Sequence, residues 1–424
     1  CHFVINDRCA RCQRMTLLDP ASPLGRLSCH LSAVTDPPWQ RRPSHLLHEI
    51  LLMGLCTFFT GGRTFVDMAH FALSHQSWLA TFLTLPGGPP CHDTFNRVFS
   101  ALDPRQLEDT LRHWSAGLEI APLPDDHGPL QLRHLALDGK VLRGSRRGPG
   151  PASSERARAT VNVWLAGQGL VLAQRRIPQE CSEIIQAPLL LRHLRLKNTV
   201  VTADAAHAQS ATASQITAQG GDYLLTVKAN QPGTQQAIRD FLEPTLAATP
   251  EGHHQSVDKA RHQIETRRCW LRTDLEDFAP RGQWSGLGAV ALLETRNENI
   301  TTGKTTLEQR CYITSLGGPP GTTAAATRDL AATVAQLARA HWGIENSLHW
   351  RLDVLMGEDA SRARTGEAPA NLAILRKITL NTLKIHAPFP GKKGADMSIR
   401  SRPYVASIDP NYLASLIRTP VITP

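Results

Sequence analysis

What most constrains this chain is a pair of short apolar segments that each run into an aspartate. Residues 132–138 read LRHLALD, and residues 199–204 read TVVTAD. Uninterrupted apolar runs of this length suit strands buried on both faces, and an acid at the end of such a strand projects from the edge of a sheet. Residues 159–165 and 170–176 read as two further strands turned by Gly167-Gln-Gly169, followed by a helix over 183–196. A helix at 210–219 and a strand at 223–228 come after the second aspartate. Three strands, a helix, a parallel strand and more αβ predict a mixed sheet flanked by helices, an α/β class. Alternation over 289–295 and 309–315 predicts β structure inserted within about 230–320, and residues 324–340 and 343–356 read as helical.

Upstream the pattern is different. Residues 1–43 are irregular and rich in Arg and Pro. From Ser44, read as a cap, a helix runs to Gly61-Gly62, and further helices fit 64–83, a segment through 93–100, and Pro104 to about 118. Residues 44–120 are therefore expected to form a small all-α domain, with 121–128 as a linker. The apolar run 46–59 contains His48 and Glu49 and is too short to span a bilayer, so it reads as a core helix; no membrane partner is expected. Residues 1–20 show no secretory pattern. Nine scattered cysteines argue against a disulfide scaffold and fit a reducing cytoplasm, and Cys1, Cys9, Cys12 and Cys29-His30 match no standard zinc spacing.

Hard divalent cations take oxygen ligands, commonly a few carboxylates completed by water and substrate phosphate. If the strands before Asp138 and Asp204 are neighbours, their carboxylates converge, and an acid on a helix across that edge completes a site. Each aspartate also has an ordinary reading as a turn or cap, and Asp138-Gly139 has the form of a simple turn. Glu345 lies in RAHWGIENSLHW (339–350). On a helix His341, Glu345 and His349 share one face, where imidazoles orient a carboxylate or bind metal or phosphate. The same spacing equally allows a polar face opposite a core face of Trp342, Leu348 and Trp350. No His-Glu-x-x-His motif points to zinc hydrolase chemistry, and no Walker loop, dinucleotide fingerprint or serine elbow is present.

A net charge of +9 and a pI near 9.3 suit a polyanionic partner. One basic run begins beside the first acid: Lys140, Arg143, Arg146, Arg147, Arg156 and Arg158, opposed only by Glu155. A second, read as a basic tail, holds Arg376, Lys377, Lys384, Lys392, Lys393, Arg400 and Arg402 against Asp396. A charge run is ordinarily a solvated face, but the first would border any metal site, where a phosphate backbone must pass.

These residues carry a family resemblance. The stretches CHDTFNRVFSALDP (91–104), LALDGKVLRGS (135–145), VVTADAAHAQ (200–209), GGDYLLTVKANQP (220–232), IETRR (264–268), YITSL (312–316), HWGIENSLHWRLDVLMGEDASRAR (341–364) and NLAILRKITLNTLK (371–384) occur in the expected order. Together they resemble the H-repeat-associated (ISAs-type) transposases of bacterial insertion sequences, within the DDE superfamily. The resemblance implies an RNase H-like catalytic core over 130–385 with the β-rich insertion and the helical associated domain before it; residues 386–424 read as a basic tail from their charge. It implies catalytic acids at Asp138, Asp204 and Glu345, expected to hold Mg²⁺ or Mn²⁺, two ions in all, and the shared helix face makes His341 and His349 the expected supporting residues. Lys140, Arg143, Arg146, Lys228 and Arg351 are expected to contact DNA, and double-stranded transposon-end and target DNA, a homodimer and a nucleoid-associated bacterial cytoplasmic location follow. Departures occur at Cys91, in Glu180-Cys-Ser-Glu-Ile184 and at Arg261-His-Gln263. They keep open a DNA-binding copy without catalysis, or a related metal nuclease that cuts without joining.

Overall fold

The computed structural model describes residues 23–38, 44–118, 132–146, 156–260, 262–317, 323–386 and 397–418. Cys1, Cys9, Cys12, Arg147, Glu155, Lys392, Lys393 and Asp396 lie outside them.

Helices α1 (Pro23–Ser32), α2 (Leu47–Phe59), α3 (Phe65–Ser74), α4 (Gln76–Leu79), α5 (His92–Ala101) and α6 (Pro104–Ala116) open the fold. The run expected as a core helix is α2, almost wholly buried, and no helix among the described residues is long and apolar enough to cross a membrane. Ser44 does not cap it: Leu46 takes the N-cap position without a side-chain bond. Thr64 caps α3 through a reciprocal capping box with Asp67, and Asp103 caps α6 ahead of Pro104.

Among the described residues nine strands follow: β1 (Arg133–Val141), β2 (Ala159–Leu165), β3 (Leu170–Ile177), β4 (Thr199–Ala203), β5 (Asp222–Val227), β6 (His254–Ala260), β7 (Gln263–Arg272), β8 (Ala289–Asn299) and β9 (Thr305–Thr314). They form one sheet in the order β3-β2-β1-β4-β5-β9-β8-β7-β6. The first three are antiparallel neighbours, whereas β4 pairs parallel with β1 and β5 parallel with β4. A parallel return needs a crossover, supplied by α7 (Glu183–Leu191) and then α8 (Ser210–Ala218). Three antiparallel strands followed by two parallel ones across the first strand is the RNase H-like arrangement.

The β-rich insertion extends this sheet: β9 pairs antiparallel with β5, and β8, β7 and β6 continue outward. Helix α9 (Pro232–Ala248) precedes these strands and packs on β7 and β8. Helix α10 (Ala324–His341) crosses β4, β5, β6, β7 and β8 and covers a second core that includes Val200, Leu224, Ala291 and Val334.

A π-helical turn, Ile344–His349, joins α10 to α11 (Trp350–Val354); α12 (Ala368–Ile385), α13 (Arg402–Ile408) and α14 (Pro410–Arg418) follow. Helix α12 packs on α2, α5, α6 and β3, so the N-terminal helices and the sheet share one apolar core. Asn371 fastens this junction, donating to the carbonyls of Phe99 and Leu102 at 2.8 Å each. The second basic run divides accordingly. Arg376 and Lys377 are 1% and 0% exposed inside α12, and the Arg402 guanidinium donates to carbonyls at the end of that helix, including that of His386 at 3.2 Å.

Candidate active site

Strands β1 and β4 lie side by side in parallel, with Leu137 opposite Ala203 as their last registered pair. Asp138 and Asp204 are the next residues on each, so the two carboxylates meet at one place along the sheet edge. The expectation that Asp138 ends its strand is corrected. β1 runs on to Val141 and pairs Asp138 with Asn162 of β2, so Asp138-Gly139 is not a turn. The longer strand follows from β2, whose Val161, Thr160 and Ala159 pair with Gly139, Lys140 and Val141.

Asp204 does leave its strand. It caps a 3₁₀ turn, Ala205–His207, its Oδ1 accepting the Ala206 N–H at 3.1 Å. The cap uses one oxygen; the other accepts no hydrogen bond among the described residues. The turn directs His207 inward, fully buried, with neither ring nitrogen hydrogen-bonded among the described residues.

Glu345 comes from the π-helical turn and is exposed at the cleft. A π turn closes i→i+5 bonds and widens the helix, a distortion common at functional sites. His349 still returns to the acids, with Nδ1 at 3.4 Å from Glu345 Oε2 and 3.5 Å from Asp138 Oδ2. His341, at the end of α10, instead contacts Thr202 Oγ1 of β4 at 2.9 Å, and that hydroxyl also contacts His134 Nε2 of β1 at 2.8 Å. This chain of contacts locks the helix to the two acid-bearing strands. Trp342 and Trp350 are exposed, whereas Leu348 is buried, so only one of the three apolar residues faces the core.

Two glycines permit close approach. A Cβ on Gly343 would stand 2.6 Å from the Trp164 ring of β2, so glycine lets the Glu345 helix press against the sheet. A Cβ on Gly139 would stand 2.2 Å from Glu183 Oε2; the carboxylate of α7 rests on the strand beside Asp138.

The electrostatics are those of crowded carboxylates. Burial, with the charges of Glu345 and Asp204, pushes Asp138 up to about 8. The hydrogen bond from His349 holds Glu345 down at about 2. Burial lowers His341 to about 4, and it lowers His207 despite the opposing pull of Glu183 and Asp204. Ligand atoms of Asp138, Asp204 and His207 lie within 4.8 Å of one another, as do those of Asp138, Glu345 and His349.

These acids open into a cleft of about 110 Å³ that Lys228, Arg310 and Trp342 also line. The Arg310 guanidinium stacks over Trp342 at 4.6 Å. An adjoining groove of about 380 Å³ shares both residues and adds Arg267 and Arg339, which pair with Asp258.

Of the cations singled out by sequence, Lys228 is exposed at the cleft, Arg143 and Arg146 are exposed after β1, and Arg351 is half-buried in α11. Lys140 turns inward, 8% exposed, with Nζ 2.8 Å from Asp353 and within 4 Å of Glu358 and Asp359. Glu358 in turn faces Lys377 at 3.7 Å, and burial lowers that ammonium to about 8. This buried network ties β1 to α12. Sequence reading missed His207, Arg310 and the contact of Glu183 on Gly139. His207 stands in ADAAHAQ only three residues after Asp204, a spacing that one tight turn brings back to the acid; nothing comparable marks Arg310.

A family model for the transposase DDE domain matches residues 129–382, and one for its associated domain matches residues 28–115. A Xanthobacter autotrophicus protein, described as "Uncharacterized protein in dhlA 3'region", is 36% identical over 65% of this chain and 89% of its own length. The "H repeat-associated putative transposase YhhI" of Escherichia coli K12 is 30% identical over 93% of this chain and 98% of its own. A solved piggyBac transposase synaptic complex with hairpin DNA covers 97% of this chain and 82% of its own at 11% identity. Its TM-score against this chain is 0.39.

Proposed function

The chain belongs to the transposase DDE domain family, and from that premise we propose that it is a metal-dependent DNA transposase whose acids are Asp138, Asp204 and Glu345. The observation that carries this reading is the convergence of three carboxylates from β1, β4 and the π-helical turn around one cleft. The residues fit a divalent cation. Asp138 Oδ2 is buried without a hydrogen-bond partner among the described residues, and its carboxyl keeps a proton to about pH 8 that a cation would displace. Asp138 belongs to both candidate ligand groups, so it would be a ligand at either one. Mg²⁺ or Mn²⁺ held there would supply Lewis acidity to the attacking and leaving oxygens of a phosphodiester.

The chain's own residues do the rest by positioning and charge. Hydrolysis at each end of the mobile element frees a 3′-hydroxyl. That hydroxyl attacks a phosphodiester of the target DNA in line, joining to its phosphorus as the target strand's own 3′-oxygen leaves, with no covalent protein intermediate. Lys228 and Arg310 line the cleft and would hold the non-bridging phosphate oxygens, and Arg143 and Arg146 would extend the basic surface beyond it. Lys140 acts from inside, as a fixed cation two residues from Asp138. His349 keeps Glu345 ionised and aimed at the cleft. Two ends must be cut together, so a homodimer on double-stranded DNA is the working form.

The test is cleavage of a duplex carrying the repeats that flank the coding region. With Mg²⁺ or Mn²⁺ the protein should nick it, and Asp204→Ala should abolish nicking. Equal cleavage by that variant would remove Asp204 from the chemistry. Salt-sensitive binding with no cleavage under any metal would identify a DNA-binding protein instead.

A further inference from the structure

His207 has no assigned task in the reading above, yet it is the least satisfied polar side chain near the acids. It is 0% exposed, and both ring nitrogens lack a hydrogen-bond partner among the described residues. Burying an imidazole with both nitrogens unpaired is costly, and native structures rarely tolerate it without a partner that completes the site. The ring is aimed at the acids: one of its nitrogens and a carboxylate oxygen from each of Asp138 and Asp204 all lie within 4.8 Å of one another. Ligands about 2.1 Å from a common ion fall within that span. The backbone holds the ring there, because the 3₁₀ turn bearing it is capped by Asp204 itself.

We propose that His207 is a nitrogen ligand to the cation held between Asp138 and Asp204, which makes this half of the site selective for Mn²⁺ over Mg²⁺. Mg²⁺ favours all-oxygen surroundings and gives up its waters reluctantly, whereas Mn²⁺, although the weakest binder among the first-row divalent metals, accepts an imidazole nitrogen beside carboxylate oxygens. The second ligand group, Asp138 with Glu345 and His349, also offers a nitrogen, but His349 already faces both acids. The inference rests on the reading that these acids hold a cation at all.

The experiment is pulsed electron paramagnetic resonance on the full chain loaded with Mn²⁺, in wild type, His207→Gln, His349→Gln and His341→Gln, alongside Mn²⁺ and Mg²⁺ titrations. Imidazole ¹⁴N coupling should appear in wild type, persist without His349 or His341, and vanish in His207→Gln. That variant should lose Mn²⁺ affinity by about tenfold or more while Mg²⁺ affinity changes little. Wild-type Mn²⁺ without nitrogen coupling overturns the proposal and leaves the acid site standing, and so does coupling that survives in folded His207→Gln. If His207→Gln does not fold, the other two variants decide, since coupling that outlasts both His349 and His341 belongs to His207, and coupling lost with either does not. Failure of wild type to bind Mn²⁺ at all would overturn the acid site as well.

Discussion

Replacing Asp138 by Asn should make the metal-free protein more stable at alkaline pH, although it removes a residue of the proposed site. Burial and the charges of Glu345 and Asp204 raise the Asp138 carboxyl from 3.8 to about 8. Below about pH 4 it is protonated in both folded and unfolded chains and contributes nothing to pH dependence. As pH rises the unfolded chain loses the proton while the native state keeps it, so stability falls up to about pH 8 and then levels off. At 1.36 kcal/mol per pH unit the full rise corresponds to about 5–6 kcal/mol. Glu345 offsets part of this through its bond from His349, but it is half exposed and screened by water, so a net gain of about 2–4 kcal/mol is expected for Asp138→Asn at pH 8–9. Urea unfolding in EDTA from pH 5 to 9, read for wild type and variant together, isolates the difference. Wild type should lose stability against the variant across that range, and added Mn²⁺ should reverse the order by stabilising only wild type. A variant less stable than wild type at pH 9 in EDTA, or a difference flat with pH, would refute the account of Asp138 as a carboxylate strained by its neighbours.

Gly139→Ala places a methyl group on the Glu183 carboxylate and should weaken Mn²⁺ binding by about tenfold; Glu183→Ala in the same chain should restore it, as titration of the single and double variants will show. Lys377→Met leaves Glu358 short of its buried partner and should destabilise the fold by about 3–5 kcal/mol in denaturant melts, with most of the loss recovered when Glu358→Leu is added. Arg310→Ala should weaken binding to DNA of any sequence and reduce the slope of log affinity against log salt by about one; an unchanged slope would take Arg310 away from the phosphate path.

The presence of the acid-bearing strands was legible in the chain because apolar runs report burial directly, whereas their adjacency stayed conditional until the sheet order was seen. LALD and TVVTAD marked β1 and β4, and a ββα stretch between them left a parallel return as the natural pairing. The insertion was legible as β structure from its alternation. Its place as an extension of the same sheet was not, since pairing partners depend on which edge β5 leaves open. Charge misled where it met helix packing. Arg376 and Lys377 look like a basic tail in sequence, yet α12 carries them into the core, where Glu358 offsets the loss of hydration. Lys140 reads as a phosphate contact and instead faces acids more than two hundred residues away along the chain.

Neighbouring residues alone were enough to mark the strands before Asp138 and Asp204 and the helical segment bearing Glu345, because periodicity and burial are local properties. The folded packing settled that Asp138 lies within its strand, that His207 turns back toward the acids without a hydrogen-bond partner among the described residues, and that Arg310 joins the cleft. Those facts depend on strand register, one capped turn and the approach of distant elements, and contacts of that range leave no periodic trace in the chain.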